Sequence, residues 1–420
     1  MSPSKDVALR WRAAPPLHLA QPRPEMCDLA EAAMYYNTAV YPDLSANQLA
    51  PNPFVVPVLE LYDIPSSMQH ALVAMALCHR IYRSPGPVEL KLDLSSEPVR
   101  KAWWTRLHHH RGLAIRLMNE DIGKEDTRAS NETITTVLVF LVGELQQSLA
   151  LSHAWRYHVN GLMALFKLRG GFDKLISTTE TLKPSMLAFL LIVVTSNTTS
   201  PSDDQVAVTS FTHVPGLISD LYGLGIYPPF PCAQDLFLDI GNIDHLRARA
   251  AASHFEEDFE SQVLEAHDLL EHVAAFNPEE WAARQSSEFR DEWVLAARIY
   301  HAAVTLYCIS SLQSLELLPS TPQLQTRRAA QRDRLMWLLA EGLASPLLKK
   351  SVLWPLIVAG FEACEGGSVE RRFVARHLEE QSRDLGTSQP LVAKSVFERF
   401  WRSGKTKWDD CFDRPYAFLG

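Results

Sequence analysis

Apolar residues in this chain recur at helical spacing almost from end to end, and no run of alternating β-branched residues is long enough to make a strand. A helix buries one stripe of its surface and needs other helices to cover it, so the pattern predicts an all-α fold. At 420 residues the chain can close a large core, as one big domain or two ordinary ones. We expect a single multi-helix domain of about twelve to fourteen helices over residues 27–402. A Pro-rich irregular arm at 1–26 precedes it and a tail at 403–420 follows.

The breakers place the elements. A first helix is predicted at 28–39, followed by an extended connection at 41–64 that holds Pro42, Pro51, Pro53 and Pro57. Ser66 or Ser67 is expected to cap the next helix, Ser95 or Ser96 a long one with Pro98 in its first turn, and Ser130 or Asn131 an apolar one. Ser152 would cap the helix that contains Trp155, and Gly170 and Gly171 would end it. The Ser/Thr/Asp-rich stretch 197–207 reads as a mobile internal linker. Further helices are expected at 184–196, 256–275, about 287–315, 323–342, 346–364, 367–383 and 389–402.

Charge and cysteines narrow the function classes. The net charge is −9, against the basic balance of a chain that grips phosphate backbones, so direct DNA binding is not expected. The apolar runs 137–142 and 186–194 are too short to span a bilayer and read as core helices, so no membrane is expected. Six cysteines equal the number in a binuclear zinc cluster, but they lie far apart with no CxxC pair. Cys27, Cys78, Cys308 and Cys364 are expected to be buried free thiols.

Five segments in order resemble the regulatory domain of fungal transcription factors. They are Glu31 to Leu44, Ser66 to Arg80, Trp155 to Gly171, Arg298 to Ala303, and Leu353 to Ala363. The resemblance implies a transcription regulator in the nucleus, acting on a secondary-metabolism pathway through a DNA-binding partner protein or a small effector. A homodimer is a further expected form. Family members usually begin with the six-cysteine cluster, which we expect to be lacking here, with 26 residues ahead of the regulatory-like region. Some fungal biosynthetic proteins similar to this family look like unconventional terpene cyclases. The alternative is therefore a cytoplasmic, magnesium-dependent sesquiterpene cyclase on the same scaffold.

Each reading asks for particular side chains. An effector pocket would draw on His158 and Asn160 beside the small Gly161, and on Arg298 and Tyr300 in an apolar helix where an inward arginine could hold an anion. In the cyclase alternative Arg298, Glu144 and His301 would be catalytic, and Glu265 and Asp268, at i,i+3 spacing, would hold magnesium. Under the regulatory reading no cofactor is expected. Glu144 lies in an almost wholly apolar segment and must be paired or protonated, with Arg156, Arg169 or Arg298 as expected partners. His108, His109 and His110 are adjacent on a helix, point about 100° apart and cannot converge on one metal. No GxSxG, P-loop or HExxH occurs.

Overall fold

The computed structural model describes residues 26–44, 56, 58–84, 98–147, 154–207, 216–218, 230–253, 256–285 and 287–418. Fourteen helices of seven or more residues, and no strands, lie among them. The expectations for Ser95, Ser96, Ser152, Pro51, Pro53, Pro57 and most of the N-terminal arm fall outside the described residues.

The N-terminal layer is α1 (Met26–Tyr35), a π-helical turn at Tyr36–Val40, and α2 (Tyr41–Leu44). The helix thus runs past the predicted stop at Pro42. A widened turn just before a proline relieves the clash between its ring and the carbonyl four residues back. Next come α3 (Ser66–Arg83), α4 (Pro98–Gly123) and α5 (Asn131–Gln147). Every residue of α3 except Arg80 and Arg83 is buried. The expected cap is corrected: Ser66 and Ser67 lie inside α3, which starts after Pro65 without a side-chain cap. The cap of α5 is as predicted, with Ser130 Oγ accepting from the Thr133 amide at 3.1 Å.

Then follow α6 (Ala154–Leu168), α7 (Phe172–Thr178) and α8 (Lys183–Thr198). Gly170 and Gly171 separate α6 from α7 at φ of 93° and 102°, a region closed to residues with a Cβ. The second half holds α9 (Gln234–Ala252), α10 (Glu256–Ala275), α11 (Pro278–Ala283), α12 (Arg290–Ser314) and α13 (Pro322–Ala344). It closes with α14 (Leu353–Glu362), α15 (Ser368–Leu385), α16 (Gln389–Ser403) and α17 (Trp408–Cys411). The sequence reading missed α11, although Asn277 caps it through Oδ1 and Pro278 opens it. The predicted helix at 346–364 is shorter, because turns occupy the residues before Val352.

Helix α12 is the axis of the second half and packs against α9, α10, α11, α13, α14 and α17. One continuous apolar cluster runs from Ala71 to Phe418, and a smaller one under α1, α3 and α4 includes Leu29, Met68, Leu77 and Leu107. The segment after α16 is part of the large cluster, with Trp408, Phe412, Tyr416 and Phe418 buried. Two stretches, Glu180–Thr198 and Ser287–Ser314, are long and apolar enough to cross a membrane, but 83% of each apolar window is buried inside the fold. Cys78 and Cys308 are buried as expected, whereas Cys27 is exposed and Cys364 half-buried. Cys364 lies in the turn that follows Glu362 at the end of α14, and Cys27 in the first turn of α1.

Candidate functional site

On α9 the residues Leu236, Ile240 and Ile243 form a buried stripe, and the next position on it is Arg247. The helix therefore carries a guanidinium into the middle of the core, where it is 0% exposed. Its Nη1 donates to the Asn197 carbonyl at 3.1 Å and to the Tyr307 hydroxyl at 2.9 Å. Its Nη2 donates to the Ser200 carbonyl at 2.9 Å and to Asp409 Oδ1 at 2.7 Å. Tyr307, on α12, donates in turn to Asp244 Oδ1.

Burial pushes the Asp244 carboxyl up to about 8, despite the pull of Arg247 and the bond from Tyr307. The Tyr307 hydroxyl is raised well above its ordinary value by the same burial. Asp244 is thus protonated at neutral pH, and Asp409 supplies the negative charge that balances Arg247. Burial works against the Arg247 cation, but its contacts with Tyr307 and Asp409 more than offset this and keep it charged.

The expected mobile linker at 197–207 is corrected by this network. Asn197, Thr198, Thr199, Ser200 and Ser202 are all buried. Asn197 bonds both ways with Val206, at 2.8 and 3.0 Å. Trp354 Nε1 donates to Thr198 Oγ1 at 3.0 Å and Trp408 Nε1 to the Thr198 carbonyl at 2.7 Å. Thr199 pairs with the backbone of Tyr416, and Ser202 donates to Asp409 Oδ2 through its amide and its hydroxyl. The Ser/Thr composition that suggests a linker here satisfies buried polar groups.

A second charged cluster ties the N-terminal layer down. Asp43 on α2 accepts from Lys350 and Arg83 and faces His79 Nε2 at 3.2 Å. Burial alone would raise this carboxyl, but its contacts with His79, Lys350 and Arg83 leave it below the usual range. Tyr35 closes the chain with its hydroxyl 3.1 Å from His79 Nδ1. A third cluster buries Glu362 against Arg328 and Ser310.

The residues singled out in the sequence do not assemble into one site. Arg298 does not point inward. Its side chain is 40% exposed and pairs with Glu279 across the surface, because it lies on the outer edge of the α12 face. Glu144 is buried and paired as expected, but with Arg111 of α4 rather than with the predicted arginines. Those three are engaged elsewhere: Arg156 with Asp204, Arg169 with the Ala129 carbonyl, and Arg298 with Glu279.

Tyr300 is fully buried, donates to the Ser351 carbonyl at 2.6 Å and stacks on Trp354. His301 is buried with Nε2 2.9 Å from the Val273 carbonyl, which fixes the proton on that nitrogen. His158 turns in and stacks on Phe140, while Asn160 faces solvent, so the two diverge. Glu265 pairs with Arg249 and Asp268 is exposed; among the described residues no three such side chains gather to hold a metal ion. The constellation that the cyclase alternative called for is dispersed over separate elements.

The histidine run diverges as predicted. His108 and His109 are exposed, and His110 turns inward to place Nδ1 2.9 Å from His70 Nδ1. Arg247 could have been found from its place on the α9 stripe, whereas nothing local marks Asp409 as its partner.

A family model described as the fungal specific transcription factor domain matches residues 31–418. The phomenoic acid biosynthesis cluster-specific transcriptional regulator of Leptosphaeria maculans is 32% identical over 392 residues, which cover 92% of this chain and 73% of that protein. No solved structure matches the chain.

Proposed function

Because the chain belongs to the fungal-specific transcription factor domain family, we propose that it controls transcription of a secondary-metabolism gene cluster from within the nucleus. It does so through a DNA-binding partner protein or a small effector, and not by reading DNA with these residues. The observation that carries this reading is the family match over nearly all of the described fold, alongside a relative named as a cluster-specific transcriptional regulator. The indirect mode is supported by the net charge of −9 and by cysteines that form no CxxC pair. Surface arginines also face carboxylates, as with Arg327 and Glu271, Arg376 and Glu380, and Arg399 and Asp413. Such pairing neutralises charge that a phosphate backbone would otherwise use.

Two measurements test the proposal. Deleting the gene is expected to lower transcripts of one co-regulated biosynthetic cluster, and an unchanged transcript profile would overturn the regulatory reading. The purified chain is expected to give no sequence-selective shift of promoter fragments from that cluster. A selective shift by the chain alone would overturn the indirect mode while leaving the regulatory role intact.

A further inference from the structure

Helix α6 buries Trp155, Val159, Leu162, Leu165 and Phe166, yet its opposite face carries an apolar stripe, flanked on one side by the exposed Asn160 and Lys167. Tyr157 is 78% exposed and Leu168 63% exposed. Ala164 is exposed between them, and a Cβ built on Gly161 would meet nothing within 4 Å. At 100° per residue these four positions fall in one narrow stripe, so the molecule presents a helix face that is apolar, shallow at its middle and bulky at both ends.

The charges at the two ends differ in sign. Beside the first turn lie Asp203 and Asp204, both exposed, with Asp204 held there by Arg156 at 2.8 Å. Beside the last turn lie Lys167 and Lys174, both exposed, the Lys174 stem lying against Gly170.

We propose that this face is the interface of a homodimer, two copies of α6 packing antiparallel about a two-fold axis between Leu162 and Met163. That axis places Tyr157 against the second copy's Leu168 and Gly161 against its Ala164, each contact occurring twice. The large residues meet over the shallow centre, and Gly161 and Ala164 let the backbones approach. The acids at one end meet the lysines at the other, and the helix dipoles oppose one another favourably. A parallel pairing would set like charges together. A second copy fits better than an unrelated partner because apolar pattern and charge pattern are self-complementary about the same axis. One fifteen-residue helix per copy covers less than the roughly 1,600 Å² of a standard stable interface, so the dimer is a reversible one.

Sedimentation of the full chain from about 1 to 100 µM tests this, a range set by the micromolar affinity expected of a small interface. The wild type is expected to pass from monomer to dimer in that range. Gly161→Arg points into open space on the monomer and favours the helix over glycine, so it is expected to stay monomeric with unchanged helix content. Tyr157→Asp provides a second variant on the same face with the same expected loss. Lys167→Glu and Asp203→Lys are each expected to weaken the dimer about tenfold, and the double exchange to restore it. A wild type that remains monomeric throughout, including one that instead captures another protein on this face, overturns the proposal. So does a dimer that persists in both Gly161→Arg and Tyr157→Asp.

Discussion

Arg247 is a full charge at the centre of the fold, and the way it is balanced makes stability depend on pH. Asp244 accepts from Tyr307 and lies 4.0 Å from Arg247, but burial keeps it protonated up to about 8. In the unfolded chain the same carboxyl ionises near 3.8. Between those values the folded state holds one proton more than the unfolded state, so stability from this group is full at low pH and falls as pH rises. Asp239, raised by burial to about 6 beside His272, adds to the fall at its lower end. The buried His79, His110 and His301 and the half-buried His158 act in the opposite sense, because each has a lowered value and must charge on unfolding in acid. Comparing wild type with Asp244→Asn cancels those terms. Urea unfolding from pH 6 to 8 is expected to show wild-type stability falling by on the order of 1 to 2 kcal/mol more than that of the variant.

At the scale of elements, ion pairs act beside apolar packing to hold the N-terminal layer in place. Asp43 sits on α2 and draws in His79 and Arg83 from α3 and Lys350 from the turn before α14. Neutralising Asp43 takes a shared acceptor from His79 and from the partly exposed Arg83 and Lys350, which costs on the order of 1 to 3 kcal/mol. Asp43→Asn is therefore expected to speed amide exchange across Met26–Leu44 by tenfold or more while the amides of α12 keep their protection. Equal loss of protection in both places would show that the layer and the core open together. Much of this level was legible in the sequence. Helical periodicity placed most elements, Ser130 capped α5 and the paired glycines ended α6. Side-chain direction was less legible. Arg298 and Glu144 sit in equally apolar runs, yet a rotation around the helix sends one to the surface and the other inward.

Across the whole molecule, the C-terminal segment closes the core. Asp409 neutralises Arg247, Trp408 bonds to Thr198, and Tyr416 pairs with Thr199, contacts that span 162, 210 and 217 residues of chain. Truncation after Gly404 removes these together with the buried Phe412 and Phe418. It is expected to yield a chain that binds a hydrophobic dye and loses its cooperative thermal transition, and a sharp transition near the wild-type temperature would refute this view of the segment. The sequence by itself determined that the chain is helical, where most helices begin and end, that Glu144 must be paired, and that three adjacent histidines could not share a metal. These follow from spacing and from the cost of burying a charge, both local to a few residues. Only the tertiary structure decided that the Ser/Thr-rich stretch at 197–207 is a buried staple, that Arg111 is the partner of Glu144, and that Asp409 completes the centre. Partners 33 residues apart, as Arg111 and Glu144, or 162 apart, as Arg247 and Asp409, leave no local trace, because the packing of helices, not their spacing, brings them together.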